Sequence, residues 1–293
     1  MAAETFPSTP RGEAARLEVW GAPIEHSLSP LLHAAAYRTL GWDWAYGRRR
    51  VDEASFTGEL ASLDPTYRGL SLTFPLKGVA WRAAATRDEY AERTGAVNTL
   101  VLTDDGPHGF NTDVGGIVAD LRSHGVDGID RARIIGAGAT AASAMVALGE
   151  LGAHDVEVIA RRPEAAAALV DIGAAGGVRV ALRAMGDMRG DAGAPASVPV
   201  TVSTLPGGAI PDPDAARALA DGGGLLYDVV YGHWPTAFAT AWHEAGGAAV
   251  DGRGMLVQQA VRQIRIFSTG DPAAPLPRED DVVASMVSAL VGD

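Results

Sequence analysis

The sequence contains no cysteine among its 293 residues. This absence excludes disulfide bonds, cysteine-ligated metals and a thiolate nucleophile, and it is compatible with a cytosolic protein. Residues 1–16 carry acidic side chains and no apolar core, so we expect no signal peptide. No uncharged apolar run reaches the ~18 residues that a transmembrane helix requires. The sequence therefore predicts a cytoplasmic protein without a membrane partner.

Basic residues are also scarce relative to acidic ones. The 24 Lys and Arg residues stand against 36 Asp and Glu residues, which gives a net charge of −12. Binding to nucleic acid or to an anionic membrane needs clustered basic side chains, so neither partner is expected. A composition with 47% hydrophobic and 20% charged residues is typical of a globular protein. We expect small-molecule ligands, and a monomer or a homodimer.

Strand and helix patterns alternate along most of the chain, which predicts an α/β fold with a mostly parallel sheet. The predicted strands are 16–20, 44–51, 69–74, 96–102, 133–136, 155–160, 177–182, 198–203 and 225–230. The predicted helices are 29–40, 52–63, 113–124, 140–151, 163–172, 253–267 and 280–291, with further helical patterns across 77–93. Asp52 is the predicted N-cap of its helix. Residues 1–14 are expected to be a disordered leader, and 186–197 and 207–214 to be loops.

The most informative motif is a glycine loop that begins about 130 residues into the chain. Residues 134–141 read I-I-G-A-G-A-T-A, a G-x-G-x-x-A turn between a predicted strand and an Ala-rich helix. Such glycines let the backbone approach a pyrophosphate at a helix N-terminus, whereas the alternative is a tight structural turn. The simplest arrangement is a Rossmann-like dinucleotide domain, 113–252, inserted into a discontinuous substrate-binding domain, 1–112 plus 253–293, with a cleft between them.

The second strand of this unit favours NADP over NAD. NAD-binding units usually place an acid at the end of this strand, where it accepts a hydrogen bond from the ribose 2′-hydroxyl. Here the strand ends in Ala160, Arg161 and Arg162. A guanidinium binds a 2′-phosphate that a carboxylate would repel. The alternative is that both arginines are a solvated helix start.

Four polar segments precede the glycine loop. Ser27 and Ser29 stand at a helix start and suit a carboxylate, although Ser29 alone fits an N-cap. Lys77 follows a strand end that carries Thr73, and a lone lysine is more often solvated surface. Asn98 lies in an apolar strand, so it is either structurally bonded or bonded to a substrate hydroxyl. Asp113 either caps the linking helix or pairs with Lys77.

Taken together and in order, these segments resemble the shikimate dehydrogenase family over nearly the whole chain. The matching motifs are G-x-P-I-x-H-S-L-S-P (21–30), S-x-T-x-P-x-K (71–77), G-A-V-N-T (95–99), N-T-D-x-x-G (111–116), G-A-G (136–138), S-T-x-P (203–206), D-x-x-Y (228–231) and G-x-G-M-L-x-x-Q-A (252–260). The resemblance implies reversible NADPH-dependent reduction of 3-dehydroshikimate to shikimate, an oxidoreductase reaction of aromatic amino-acid biosynthesis through chorismate. It also implies the two-domain architecture described above.

The resemblance also implies roles for individual residues. For the substrate, it implies that Ser27 and Ser29 bind the carboxylate, that Thr73, Asn98, Asp113 and Gln259 hold ring hydroxyls, that Tyr231 lies nearby, and that Lys77, paired with Asp113, is catalytic. For NADP, it implies that Gly136, Ala137, Gly138 and Ala139 cradle the pyrophosphate, that Arg161 and Arg162 bind the 2′-phosphate, and that Val229 and Gly252 flank the nicotinamide. The division of phosphate binding between the two arginines stays open.

The chain departs from the family pattern at a few positions. Ser71 replaces the usual asparagine, and Ala139-Thr140 replace a common Gly-Ala pair in the glycine loop. The basic run 48–50 is expected on the surface. A quinate/shikimate or aminoshikimate dehydrogenase is the alternative enzyme, and the Ser71 departure keeps the aminoshikimate alternative open. A non-catalytic NADP-binding regulatory protein would lack the Lys77 and Asp113 pair.

A metal-dependent hydrolase is a further alternative that the sequence disfavours. His26, His33 and His108 have no metal-binding spacing and no acidic pattern nearby, so we predict no metal site. Each of these histidines is expected at the surface or packed in the interior.

Overall fold

The computed structural model describes residues 14–188, 197–206, 213–232 and 234–292. The chain divides into two compact units, one formed by 1–112 with 256–293 and the other by 113–255. The sequence predicts domain boundaries at 112/113 and 252/253, and these two units divide at 112/113 and 255/256. Residues 1–13 of the expected leader, and most of the two expected loops, lie outside the described residues.

The first unit contains a mixed sheet and four short helices from its N-terminal segment. Its strands are β1 (Ala15–Gly21), β2 (Trp44–Arg50), β3 (Tyr67–Leu72), β4 (Thr86–Arg87), β5 (Thr99–Thr103) and β6 (Gly106–Phe110). Its helices are α1 (Ser29–Leu40), α2 (Phe56–Ala61), α3 (Lys77–Ala83) and α4 (Glu89–Thr94). The strand order is β2-β1-β3-β5-β6-β4. The β1, β2 and β3 pairings are parallel, whereas β5 is antiparallel to both neighbours.

The second unit contains a parallel sheet in every pairing that the structure describes. Its strands are β7 (Arg131–Ile135), β8 (Asp155–Ala160), β9 (Arg179–Ala184), β10 (Val200–Ser203), β11 (Leu225–Asp228) and β12 (Ala249–Val250). The order β9-β8-β7-β10-β11-β12 is the 3-2-1-4-5-6 order of the Rossmann fold. The direction of the winding reverses between β7 and β10, and ligands of such sheets bind beyond the carboxyl ends of the strands at this point.

Five helices accompany this parallel sheet in the described part of the second unit. They are α5 (Asp113–Ser123), α6 (Ala139–Glu150), α7 (Ala167–Ala175), α8 (Pro213–Ala220) and α9 (Ala237–Glu244). The predicted helix over 163–172 begins instead with a short 3₁₀ helix, Pro163–Ala166. The sequence reasoning missed α8 and α9. Thr236 marks the second of them, because its hydroxyl caps the helix by accepting from the Ala239 N–H at 3.1 Å.

Two C-terminal helices complete the chain, α10 (Arg253–Thr269) and α11 (Glu279–Val291). Residues 256–269 of α10 and the whole of α11 belong to the first unit. Within that unit α11 packs against α1. The apolar core of the first unit includes Trp20, Leu70 and Leu100, and that of the second includes Ile135, Ile159 and Trp242.

Asp52 is not the N-cap that the sequence predicted. Ser55 holds that position in α2, which begins only at Phe56. The Asp52 carboxylate accepts instead from the Ser55 backbone N–H at 2.9 Å and from its hydroxyl at 2.8 Å. The carboxylate therefore closes a turn before the helix, an alternative hydrogen-bonding pattern that Asp often adopts.

The basic run 48–50 is only partly a surface feature. Arg49 forms ion pairs with Glu18 at 2.9 Å and with Glu59 at 2.9 Å. The same Glu18 carboxylate accepts from the Trp20 indole at 2.7 Å and from the Tyr67 hydroxyl at 2.8 Å. Since β1 and β2 pair in parallel, Arg49 lies opposite Trp20 and meets this acid across the sheet.

Within the described residues, no helix has both the length and the apolar character to cross a membrane.

Candidate active site

The N-terminus of α1 brings Ser27 and Ser29 together. Ser29 is the first residue of the helix and is buried, and its N–H donates to the Ser27 hydroxyl at 3.4 Å. The N-cap is Leu28, and among the described residues no side chain caps this helix. The interpretation of Ser29 as a mere N-cap is therefore wrong. Two hydroxyls at the positive end of a helix dipole can bind an anion.

The segment 73–77 joins β3 to α3 and is tied to the end of β1. The Thr73 N–H donates to the Trp20 carbonyl at 2.9 Å, and the Ala22 N–H donates to the Phe74 carbonyl at 3.0 Å. Gly21 permits this approach, because a Cβ there would lie 2.5 Å from the Thr73 methyl. Lys77 opens α3 and is partly buried. The fold thus places Thr73 and Lys77 at the carboxyl end of a parallel strand.

Asn98 is hydrogen-bonded within the protein. It is 2% exposed, and its Oδ1 accepts from the Thr112 N–H at 2.9 Å and from the Thr99 hydroxyl at 2.9 Å. Its Nδ2 donates to the Thr112 hydroxyl at 2.9 Å. These bonds support the structural interpretation of Asn98, and they hold the chain one residue before Asp113. A contact with a substrate hydroxyl stays a prediction.

Gln259 lies on α10 in the first unit and is 7% exposed. Its Nε2 donates to the Leu256 carbonyl at 2.8 Å, which orients the amide within its own helix turn. The predicted role of Gln259 toward a ring hydroxyl stays a prediction.

The glycine loop of the second unit lies at the end of β7. Gly136 has a φ of +122°, and a Cβ there would overlap the hydroxyl of Thr204, which follows β10. Gly136 is therefore required by the local structure. Gly138 has an ordinary φ of −90°, and no described atom lies within 4 Å of the position of its Cβ. Nothing in the described fold requires glycine at 138, whereas the approach of a ligand would.

Arg161 and Arg162 follow the last residue of β8 and are both exposed. The α-helix that the sequence placed directly after them begins only at Ala167. Because the 3₁₀ helix Pro163–Ala166 follows them directly, both interpretations of the two arginines stay open. Within the second unit, they stand at the same carboxyl edge of the sheet as the glycine loop, because β7 and β8 are parallel.

Val229 and Gly252 are brought together in the second unit. The Gly252 N–H donates to the Val230 carbonyl at 3.0 Å, and a Cβ on Gly252 would overlap the Val229 carbonyl. The buried Asp228 precedes this pair and accepts from the Thr236 hydroxyl at 2.9 Å. These contacts hold the segment after β11 against the turn that leads into α10.

Tyr231 and Asp113 also interact within the second unit. Burial raises the pKa of Tyr231, and the negative charge of Asp113 raises it further. Asp113 is 4% exposed and opens α5, where a carboxylate is favoured by the helix dipole. Lys77 belongs to the first unit and Asp113 to the second, so their pairing stays a prediction.

Comparison with known proteins shows the family to which this chain is similar. Residues 19–100 match the family model described as "Shikimate dehydrogenase substrate binding domain". A shikimate dehydrogenase (NADP(+)) of Acidovorax sp. (strain JS42) is 35% identical over 270 residues, covering 89% of this chain and 94% of that protein. The chain belongs to the shikimate dehydrogenase family.

Solved structures of shikimate dehydrogenases agree with this assignment over almost the full length. The enzyme of Mycobacterium tuberculosis is 36% identical with a TM-score of 0.78, and the match covers 95% of this chain and all of that one. The enzyme of Thermus thermophilus, solved in complex with NADP(H) and shikimate, is 27% identical with a TM-score of 0.75, covering 94% and 99%. The predicted family and α/β fold are confirmed.

Lys77 has a further distinction that our sequence reasoning missed. It is the only lysine in the 293-residue chain, since the other basic residues of the 24 are arginines. Both side chains carry a positive charge, but an ammonium can release its proton whereas a guanidinium remains protonated. If position 77 requires an ammonium group, we expect a lysine there even in a chain that uses arginine everywhere else. A count of lysines would have given this signal at once.

The three histidines of the first unit differ in their exposure and in their hydrogen-bond partners. His26 is exposed, whereas the other two are buried. His108 bonds to Thr86 at 2.6 Å and Thr103 at 3.1 Å, and His33 to Tyr37 at 2.9 Å. In the part of the chain that the structure describes, no group of three His, Asp or Glu side chains is placed to hold a metal ion.

Asp88 supports the segment that leads to Asp113. Its carboxylate caps α4 by accepting from the Ala91 N–H at 2.7 Å, and it also accepts from the Asn111 N–H at 3.1 Å. Burial raises its pKa to about 6. The folded state therefore holds the Asp88 proton more tightly than the unfolded chain, for which the value is 3.8.

We expect Asp88→Asn to remove a pH-dependent loss of stability. Because burial raises the pKa of Asp88 in the folded state, the protonated Asp88 stabilises the fold below about pH 4. This stabilisation is lost as the pH rises through about 6, where the buried carboxyl group ionises. Asparagine keeps an acceptor for both backbone N–H groups and carries no charge. Between about pH 4 and pH 7, the unfolding free energy of the variant should gain about 2–3 kcal/mol relative to that of the wild type in urea titrations.

Asp52→Asn is the control with the opposite sign. The hydrogen bonds from Ser55 lower the pKa of Asp52, so its contribution to stability grows as the pH rises and the variant should lose stability relative to wild type. A difference between Asp88→Asn and wild type that does not vary with pH would contradict the expectation for Asp88.

Proposed function

We propose that this protein catalyses the reversible reduction of 3-dehydroshikimate to shikimate with NADPH, as a step of the chorismate pathway. The observation that carries the proposal is the full-length similarity to the Thermus thermophilus enzyme solved with NADP(H) and shikimate. In this assignment, residues 1–112 with the C-terminal helices bind the substrate, and residues 113–252 bind the cofactor.

The second unit has the features that an NADP site requires. Gly138 opens onto space that no described atom occupies, at the N-terminus of the 12-residue helix α6. A pyrophosphate there would meet backbone N–H groups and the positive end of the helix dipole. The exposed Arg161 and Arg162 would hold the 2′-phosphate with charge-assisted hydrogen bonds. Val229 and Gly252 would flank the nicotinamide.

The first unit has donors suited to an anionic polyol. The Ser27 and Ser29 hydroxyls at the N-terminus of α1 would bind the substrate carboxylate. Thr73, Asn98 and Gln259 would bind ring hydroxyls, together with Asp113, and Tyr231 would lie near the ring. Direct hydrogen bonds to the substrate would orient its ring for reaction.

Lys77 would supply the proton and the positive charge that the reduction needs. When bound, NADPH supplies the hydride that the ring carbonyl carbon accepts. As the C=O bond becomes a C–O bond, negative charge grows on the oxygen, which the Lys77 ammonium stabilises and then protonates. In the oxidative direction, the neutral amine accepts the proton of the hydroxyl. Asp113 would favour the charged ammonium and hold it in place.

The test is an absorbance assay of the reduced nicotinamide with shikimate, quinate and aminoshikimate, each with NADP and with NAD. We expect kcat/KM to be highest for shikimate with NADP, by at least about tenfold over every other pair. The double variant Arg161→Ala, Arg162→Ala should lose the preference for NADP while its activity with NAD persists. If kcat/KM is highest with quinate and NAD, or with aminoshikimate, the proposed activity is wrong and the protein is the alternative enzyme.

A further inference from the structure

Asp120 is a buried acidic residue of the second unit, on the helix α5. Its Oδ2 accepts a hydrogen bond from the Tyr227 hydroxyl of β11 at 2.5 Å. Its Oδ1 lies against the first turn of α10, where a Cβ on Gly254 would overlap it. Asp120 and Tyr227 are 4% and 0% exposed. One buried carboxylate therefore joins three elements of the unit, α5, β11 and the start of α10.

The Tyr227 hydroxyl is the donor in the shorter of these contacts. Burial raises the pKa of Tyr227, and the negative charge of Asp120 raises it further, so the phenol keeps its proton. The Ser123 hydroxyl donates to Oδ1 at the longer distance of 3.4 Å, and His124 Nδ1 lies 3.7 Å from the same oxygen. Hydrogen bonds to a charged acceptor are stronger than neutral ones, so the phenol ties β11 firmly to α5.

The carboxylate also explains the glycine at position 254. A Cβ there would overlap Oδ1 of Asp120 and lie 2.6 Å from its Oδ2, well inside the ~3.5 Å of an ordinary van der Waals contact. Glycine is unfavourable within a helix relative to alanine, so a helical glycine needs a reason such as a close approach. The first turn of α10 thus rests on α5 through the side chain of Asp120.

The two residues that contact Asp120 are close in the chain to Val229 and Gly252. Tyr227 precedes Val229 by two residues, and Gly254 follows Gly252 by two residues. The strands β11 and β12, which lead into these segments, pair in parallel, so the two segments leave the sheet side by side. Asp120 therefore ties both segments to the same helix.

That helix carries Asp113 at its start. Asp120 follows Asp113 by seven residues, which is two helical turns, so the two carboxylates lie on one face of α5 about 10 Å apart along its axis. In the proposed function, Asp113 contacts the substrate. A single helix thus connects a predicted substrate ligand with the two segments that would flank the nicotinamide.

We propose that Asp120 is a positioning residue that holds Val229 and Gly252, and with them the nicotinamide, at a fixed place relative to Asp113. The inference rests on the proposed function, in which Val229 and Gly252 flank the nicotinamide. Hydride transfer needs its two carbons close together and aligned, so a displacement of about 1 Å can lower the rate by about 100-fold. The adenosine end of the cofactor would bind at the arginines after β8, three strands away from β11 in the sheet.

The first test compares Asp120→Ala with Asp120→Asn. Alanine removes the acceptor of the Tyr227 hydroxyl and leaves a space beside Gly254, whereas asparagine keeps an acceptor oxygen and nearly the same shape. We expect Asp120→Ala to lower kcat by about 10- to 100-fold and to raise the Kd for NADPH, and Asp120→Asn to restore most of both. Steady-state kinetics with shikimate and fluorescence titration with NADPH measure the two effects.

Binding of adenosine 2′,5′-bisphosphate separates positioning from general damage to the unit. This molecule has the 2′-phosphate of NADP and lacks the nicotinamide. Its Kd, measured by calorimetry, should be the same in Asp120→Ala as in the wild type while the Kd for NADPH rises. If both ligands bind more weakly to the same extent, Asp120 serves the fold alone and the inference is overturned.

Gly254→Ala tests the contact with α10. Its methyl group would overlap the Asp120 carboxylate and push α10 away from α5, so kcat should fall. In the double variant with Asp120→Ala, the methyl group occupies the space that the carboxylate has left. Adding Gly254→Ala to Asp120→Ala should therefore lower kcat no further. Losses that multiply in the double variant would contradict a shared contact.

Thr201→Val is the matched control. Thr201 is 0% exposed in β10 of the same sheet, and its hydroxyl donates to the Gly223 carbonyl at 2.8 Å. Neither partner belongs to a predicted ligand-binding motif. The variant loses a buried hydrogen bond, so its unfolding midpoint should fall, whereas kcat and the Kd for each ligand should stay at their wild-type values.

The possible failures are distinguishable. If the wild-type protein does not oxidise shikimate with NADP, the proposed function fails and this inference fails with it. If the wild type is active and folded Asp120→Ala keeps its kcat and its affinity for NADPH, the inference alone is overturned. If Asp120→Ala does not fold, Tyr227→Phe replaces it, because it removes only the donor and should raise the Kd for NADPH without changing that for the bisphosphate.

Discussion

Lys77→Ala is expected to lower kcat for the reduction of 3-dehydroshikimate by about 10²–10⁴-fold. In the proposed mechanism, the variant loses both the proton donor and the positive charge that stabilises the developing alkoxide. These interactions form mainly in the transition state, so the KM for 3-dehydroshikimate should change by much less than kcat. Steady-state kinetics with saturating NADPH measure both parameters. An unchanged kcat would show that Lys77 is not catalytic.

Lys77→Arg separates the contribution of the positive charge from that of proton donation. Arginine keeps the charge but does not release its proton, so kcat should recover only in part. The matched control is Arg82→Ala, which removes an exposed cation from the same helix, α3, and should have wild-type kinetics. Full activity in Lys77→Arg would mean that charge alone suffices and that the proton comes from another group.

Gly136→Ala is expected to lower stability, whereas Gly138→Ala is expected to weaken cofactor binding and leave stability unchanged. At position 136, an alanine meets an unfavourable φ of +122° and the Thr204 hydroxyl, so the unfolding free energy should fall by about 2–4 kcal/mol. At position 138, φ is −90° and a Cβ meets no described atom, so stability should change by less than about 0.5 kcal/mol. The KM for NADPH, however, should rise by at least about tenfold, because a methyl group keeps the pyrophosphate from the backbone.

The control for this pair is Gly186→Ala in the same unit. Gly186 is exposed, and a Cβ there also meets no described atom within 4 Å, but it lies away from the glycine loop in sequence. Neither its unfolding midpoint nor its KM for NADPH should change. Denaturant unfolding and NADPH titration measure the two effects separately. If Gly138→Ala binds NADPH as the wild type does, the loop is not the pyrophosphate cradle.

Local signals in the sequence predicted the elements that end in strong caps or carry clear periodicity. The helix over 29–40 is observed with the predicted bounds, because Pro30 suits its first turn and Gly41 adopts the left-handed conformation at its end. The strand over 155–160 also has the predicted bounds. In contrast, α8 begins with Pro213 and carries Asp214 in its first turn, so its start signal was present but was interpreted as part of a loop.

The family could be recognised from the sequence because its motifs recur in a fixed order along the chain. The structural role of each residue within these motifs could not be predicted in the same way. Gly136 and Gly138 look equivalent in the motif, but only the first is required by the packing of Thr204 against the loop. The hydrogen bonds of Asn98 to Thr112 could not be predicted either, because the two residues meet only once the strands have paired.

By itself, the sequence determined the alternation of strands and helices, the glycine turn, the arginine pair after β8 and the family to which the chain belongs. These features depend on residues close together in the chain or on a recurring order of motifs. Only the tertiary structure decided which buried hydroxyl donates to which acceptor, since Ser71 and Gln263 are 192 residues apart. Hydrogen bonds are directional and short, so such pairings exist only after the sheet and α10 have brought the two side chains together.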